Sequence, residues 1–197
     1  VHYPQVNSSP LGRPETGFTL IRKLWEEGVL TDVRFEAEGE SISAHQIVLA
    51  SRSSYCKAQF RGCWALVSES NGTSSAITLD DMTYATLKIL IGFCYHESHD
   101  WAQDMQVTQD DSISTIADKL DGLLDVLVAA DRWLMPELHA DAQRQVMAGI
   151  RFFVRPDNVE SVKTAADDAN ATDLKSYCEE YGVFNAEAVL LANAESD

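Results

Sequence analysis

Apolar residues recur at helical spacing through Phe18, Ile21, Leu24 and Trp25, and Gly28 follows as a residue that tolerates a left-handed helix end. The pattern predicts a helix over 19–28. From Val33 the period drops to two. Val33, Phe35 and Ala37 alternate with Arg34, Glu36 and Glu38, which predicts a strand with one apolar face. Gly39-Glu40 reads as a tight turn and Ser41–Ser43 as the return strand of a hairpin. Between 44 and 60 the spacing is helical again. Ile47, Val48, Leu49 and Ala50 form one apolar turn, and Ser53 or Ser54 can cap a second short helix carrying Tyr55, Ala58 and Phe60. Ala76–Leu79 reads as a third strand. Asp80 or Asp81 is expected to cap a helix with Tyr84, Leu87, Leu90, Ile91, Cys94 and Tyr95 on one side.

Residues 96–117 lack periodicity and are rich in Asp, Gln and Ser, so they read as an inserted loop with at most one helical turn. Leu120, Leu123, Leu124, Leu127 and Val128 then give the strongest helical stripe in the chain, running to Trp133, a core candidate. Pro136 opens the next helix, with Leu138, Ala142, Val146 and Ile150. Past Pro156 the chain becomes acidic, alanine-rich helix. Asn158 and Asp173 are the expected caps of a helical pair, and a last helix is expected over 185–194. The expected division is an extended lead-in over 1–17, a domain over 18–155 with its insertion at 96–117, and a helical extension over 156–197. The fold class is α+β: a small three-stranded sheet flanked by helices, then a C-terminal helical hairpin.

Charge narrows the function. The chain of 197 residues carries a formal net charge of −16. Residues 97–125 hold 8 acids and 1 base, and residues 157–197 hold 10 acids and 2 bases, whereas residues 1–65 balance at 7 of each. Such a surface argues against nucleic acid, which binds through cations that displace counterions, and against an anionic membrane face. No apolar run approaches the roughly 20 residues that span a bilayer. Cys56, Cys63, Cys94 and Cys178 are widely spaced without a C-x-x-C pair, so they read as free thiols of a reducing compartment, cytoplasm or nucleus. The absent initial Met and the proline-bearing start suggest a piece of something longer.

The chemistry-bearing residues form no catalytic constellation. His96 and His99 flank Glu97, but their segment has no helical pattern to bring ligands at i and i+3 together. His45 precedes an apolar helix and is expected to bond backbone or a nearby polar group. There is no G-x-S-x-G elbow and no glycine-rich phosphate loop. No enzyme activity and no cofactor or metal is expected. Trp101, a large aromatic within a polar insertion, is the candidate recognition anchor.

Several blocks in order carry a resemblance. Asp32-Val33-Arg34-Phe35 precedes Ala44-His45-Gln46-Ile47-Val48-Leu49-Ala50-Ser51-Arg52-Ser53-Ser54-Tyr55. Ile77-Thr78-Leu79-Asp80-Asp81-Met82, Phe93-Cys94-Tyr95 and Leu127-Val128-Ala129-Ala130-Asp131-Arg132-Trp133 follow. Over roughly 18–150 the chain resembles a BTB/POZ domain, and 157–194 resembles the 3-box or BACK-like helices that often follow one. The resemblance implies a protein–protein interaction module that homodimerises through its first helix and first strand. Phe18, Ile21, Leu24, Trp25, Leu30 and Val33 would then form the dimer interface. Asp32, Phe35, His45, Leu49, Ser53 and Tyr55 would be the family-motif core, and Asp81, Met82, Tyr95 and Trp101 would face partners. Many members recruit a cullin scaffold and present substrates for ubiquitin transfer, so a cullin and a protein substrate are implied partners. The other reading is a scaffolding or oligomerisation arm of a larger multidomain protein, such as a fungal one, with no ligase role.

Overall fold

The computed structural model describes residues 17–62, 76–96 and 100–194. The lead-in before Gly17, Cys63, Trp64, the segment 68–75, which the sequence reads as a polar loop, and His99 lie outside the described residues. Helix α1 (Gly17–Glu26) precedes strands β1 (Val33–Ala37) and β2 (Glu40–Ala44) and the short helices α2 (Gln46–Arg52) and α3 (Ser54–Gln59). Strand β3 (Ile77–Thr78) leads to α4 (Tyr84–Tyr95), a 3-10 helix (Asp100–Met105), and α5 (Ile113–Arg132). Helices α6 (Pro136–Ala148), α7 (Ile150–Phe153), α8 (Val159–Asp168), α9 (Thr172–Phe184) and α10 (Ala186–Ala194) complete the chain.

The sheet has the order β2-β1-β3, with β1 antiparallel to β2 and parallel to β3. Val33, Phe35 and Ala37 of β1 are buried and Arg34 is exposed, so the alternation seen in the sequence is the pleat itself. The hairpin turns at Glu38-Gly39, one residue earlier than expected, because Glu40 already pairs with Ala37. Both turn residues have positive φ, +52° and +80°, which matches the twist of a two-residue hairpin.

The helix boundaries show where local chemistry was misread. Ser53 separates α2 from α3 as expected. Its Oγ accepts the Cys56 N–H at 3.0 Å and donates to the Trp133 carbonyl at 2.6 Å, tying this corner to the end of α5. Thr83, rather than Asp80 or Asp81, caps α4 by accepting the Thr86 N–H. Ser112 caps α5, so Ile113 to Ala117 are helix and not loop. Asn158 turns backward instead of capping α8: it accepts the Arg155 N–H and donates to the Phe153 carbonyl. Asp173 lies inside the first turn of α9, whose N-cap is Ala171, and accepts from Gln143.

Helix α5 packs against α4, α6 and α8, and α9 packs against both α8 and α6, so the C-terminal helices extend the core that covers the sheet. Trp133 is buried there, its ring 5.9 Å from Phe35 and 6.1 Å from Tyr55.

A candidate protein-binding surface

Helix α1 is held to the body by one side chain above all. The Trp25 ring stacks on Tyr95 of α4 with centroids 4.6 Å apart and planes 6° from parallel. Its indole N–H donates to the Ser43 carbonyl at 2.9 Å. Beneath the stack, the Tyr95 hydroxyl accepts the His45 backbone N–H at 2.7 Å and lies 2.9 Å from His45 Nδ1, while His45 Nε2 lies 2.8 Å from the Val29 carbonyl. One chain of contacts thus runs from the α1–β1 link through His45 and Tyr95 to α1. Burial pushes the Tyr95 hydroxyl up to about 12.

With its Trp25 edge docked, α1 leaves other apolar side chains outside. Leu20, Ile21 and Leu24 are exposed, and so are Val29 and Leu30 in the link that follows. Leu30 is 80% exposed and holds a left-handed φ of +60°, which disfavours a residue with a Cβ. Of the residues expected at a dimer interface, the structure therefore places Ile21, Leu24 and Leu30 outward and Trp25 half inward. Val33 is a correction: it points into the core, because odd positions of β1 face the helices. The Phe18 side chain lies outside the described residues.

The motif residues separate similarly. Phe35, Leu49, Ser53 and His45 are buried, and Tyr55 is half-buried against Trp133. Asp32 is not core. It is exposed, and its carboxylate accepts the Gln46 N–H at 2.7 Å, satisfying the first amide of α2 from a residue remote in sequence.

Among the expected partner-facing residues, Tyr95 is a correction: it is 1% exposed and structural. Asp81 is exposed and paired with Arg132 of α5, whose hydrogen bond holds the Asp81 carboxyl below its ordinary value. It borders a cleft of about 350 Å³ with Glu38, Asp80, Met82 and Asp125. Desolvation, with the Asp121 charge nearby, raises the Asp125 carboxyl. Trp101 is half-buried and donates its indole N–H at 2.8 Å to the carboxylate of Asp141, a fully buried residue of α6 that Arg144 also engages. Asp141 went unnoticed in the sequence, since an acid at helical spacing within an apolar stripe carries no sign of its partner. Lys119 binds the Gln106 carbonyl and Asp111, and Gly122 leaves room for Met105, since a Cβ there would stand 3.4 Å from its terminal methyl. The described part of the insertion is thus anchored at both ends.

Among the described residues no group of three His, Cys, Asp or Glu side chains could hold a metal ion, and no helix is long and apolar enough to cross a membrane. The small sheet capped by helices, with apolar residues presented on α1, defines a protein–protein interaction module. The chain belongs to the BTB/POZ domain family, whose sequence profile matches residues 21–150. It is 26% identical over all of its length to a BTB/POZ and MATH domain-containing protein 6 of Arabidopsis thaliana, covering 45% of that protein. It is 26% identical over 94% of its length to Kelch-like protein 3 of Mus musculus, covering 27% of it. The chain thus spans less than half the length of these curated relatives. A solved BTB domain of zebrafish PATZ1 superposes with a TM-score of 0.47 at 17% identity, over 66% of this chain and 88% of that one.

Proposed function

We propose that this chain homodimerises through α1 and serves as a substrate adaptor for a cullin-type ubiquitin ligase. The observation that carries the dimer is the outward apolar set Leu20, Ile21, Leu24, Val29 and Leu30, close together in sequence and exposed while Trp25 docks on Tyr95. The strained, exposed Leu30 supports the same reading, since backbone strain tends to gather where binding uses it. Family membership supports the cullin, with α8 to α10 as a 3-box or BACK-like extension beyond a BTB domain ending near 155. The buried free thiols Cys56, Cys94 and Cys178 support a cytoplasmic or nuclear site. Sedimentation velocity tests the dimer: the wild type is expected to sediment as a dimer at micromolar concentration, and Ile21→Asp or Leu24→Asp as a monomer. A monomeric wild type removes that half of the reading. Capture of a cullin N-terminal domain by the purified chain tests the other half, and failure at low salt leaves the module a scaffold without a ligase role.

A further inference from the structure

On α1, Arg22 and Trp25 border a second feature, a groove of about 470 Å³ between α1, α4 and the 3-10 helix. Its size is in the range of ligand pockets. Trp25, Ile89, Phe93 and Trp101 supply apolar walls, and Gly92 keeps the floor low because nothing projects from α4 there. Among the described residues that line it, Arg22 and Lys88 stand at the rim with the His96 imidazole, and Asp100 is the carboxylate opposite them. Arg22 meets Glu26 only through Nε, at 3.4 Å, and Lys88 forms no ion pair among the described residues. His96 Nδ1 lies 2.7 Å from the Gly92 carbonyl, which can only accept, so Nδ1 carries a proton and Nε2 is the ring nitrogen left to a ligand. The His96 ring stands edge-on to Trp25 at 6.2 Å. The anchored insertion makes the far wall, since the Trp101 ring that lines the groove is fixed by the buried Asp141.

We infer that this groove binds a short acidic peptide segment of a partner protein that carries one large apolar side chain beside its carboxylates. The apolar side chain enters between Trp25 and Trp101, and the carboxylates meet Arg22 and Lys88. Charge complementarity selects this occupant: Arg22 and Lys88 outnumber Asp100 among the described residues that line the groove, so the rim repels basic segments and attracts acidic ones. The site is separate from the outward face of α1, and dimerisation is not required for it.

The test uses a fluorescein-labelled peptide, Ser-Glu-Asp-Leu-Phe-Asp-Ser-Gly, with neutral Asn/Gln and lysine counterparts. Fluorescence anisotropy reads affinity, and the indole N–H resonances of Trp25 and Trp101, assigned with Trp→Phe variants, read location. The acidic peptide is expected to bind, shift both indoles, and weaken at high salt. Lys88→Glu and Arg22→Gln are each expected to weaken it by about tenfold, and Lys57→Glu on α3 to leave it unchanged. Ile21→Asp is expected to retain peptide binding, which separates this site from the dimer. Equal binding of the neutral peptide, no shift at millimolar peptide, or indole shifts that follow protein dilution alone, as a second copy in the groove would give, each overturns the inference.

Discussion

His45 contacts a carbonyl that can only accept and a hydroxyl that can do both, and this fixes its tautomer. Nε2 must carry the proton toward Val29, so Nδ1 accepts from the Tyr95 hydroxyl while that oxygen accepts the His45 amide. Tyr95→Phe strips a buried amide and a ring nitrogen of their shared partner. It is expected to cost about 1–3 kcal/mol in urea denaturation, although the aromatic stack on Trp25 survives. The same hydroxyl sets an alkaline limit. Its ordinary value is 10.0 and the fold raises it to about 12, so the unfolded chain loses this proton first. The Tyr95 contribution is whole below pH 10 and is lost as pH rises through about 12, in a window shared with the buried thiols of Cys56 and Cys178 at about 11. Stability measured from pH 9 upward should fall, and Tyr95→Phe should flatten that fall between 10 and 12. An unchanged slope in the variant would mean that Tyr95 does not titrate with unfolding.

Helix ends and the insertion show what an element inherits from its own residues and what it takes from others. Helices α1, α5 and α8 end alike: the chain turns left-handed at Gly28, Leu134 and Asn170, and the next amide reaches back to Leu24, Ala130 and Ala166. Glycine and asparagine suit that backbone. Leu134 does not, so Leu134→Gly is expected to raise stability by about 0.5–1 kcal/mol, read as a higher melting temperature. The described part of the insertion depends on a distant residue. Trp101→Phe keeps the ring but removes the N–H given to Asp141, with an expected loss of about 1–3 kcal/mol and faster amide exchange across 100–108. The same contrast governs what the sequence made legible. The strand alternation from Val33 to Ala37, the apolar stripe of α5 and the Ser53 cap are local, and each lies where its residues indicate. Thr83 is the cap rather than Asp80 or Asp81 because α4 begins at Tyr84, and Asp81 pairs instead with Arg132, a residue far along the chain. The apolar spacing put Val33 and Tyr95 on faces that pack inward, as they do, and only the family resemblance placed them toward a partner. The groove was unreadable because Arg22, Lys88 and Trp101 are brought together only by tertiary packing.

For the whole molecule, the dimer is a contest between a small apolar gain and a large like charge. Trp25 already serves its own domain, which leaves Leu20, Ile21, Leu24 and Leu30 as the side chains to cover. Each still has about half of its 1.5–3 kcal/mol of burial available, so a symmetric pair gains roughly 6–12 kcal/mol. Association costs about 4–15 kcal/mol, so the margin is narrow and the dimer should dissociate on dilution. Each copy brings a net charge of −16, yet its acids concentrate in 97–125 and 157–197, whereas the stretch that contains α1 is balanced. The repulsion therefore acts at a distance, through solvent, where salt screens it within about 10 Å at 0.1 M. The apolar contact itself is indifferent to such screening. Dimerisation should consequently tighten as sodium chloride rises from about 0.02 M to about 0.3 M, opposite in sign to the acidic peptide, whose attraction to Arg22 and Lys88 the same salt weakens. Sedimentation equilibrium across that range checks it, and a dimer that loosens with salt would mean that ion pairs, rather than the leucines of α1, hold the two copies together.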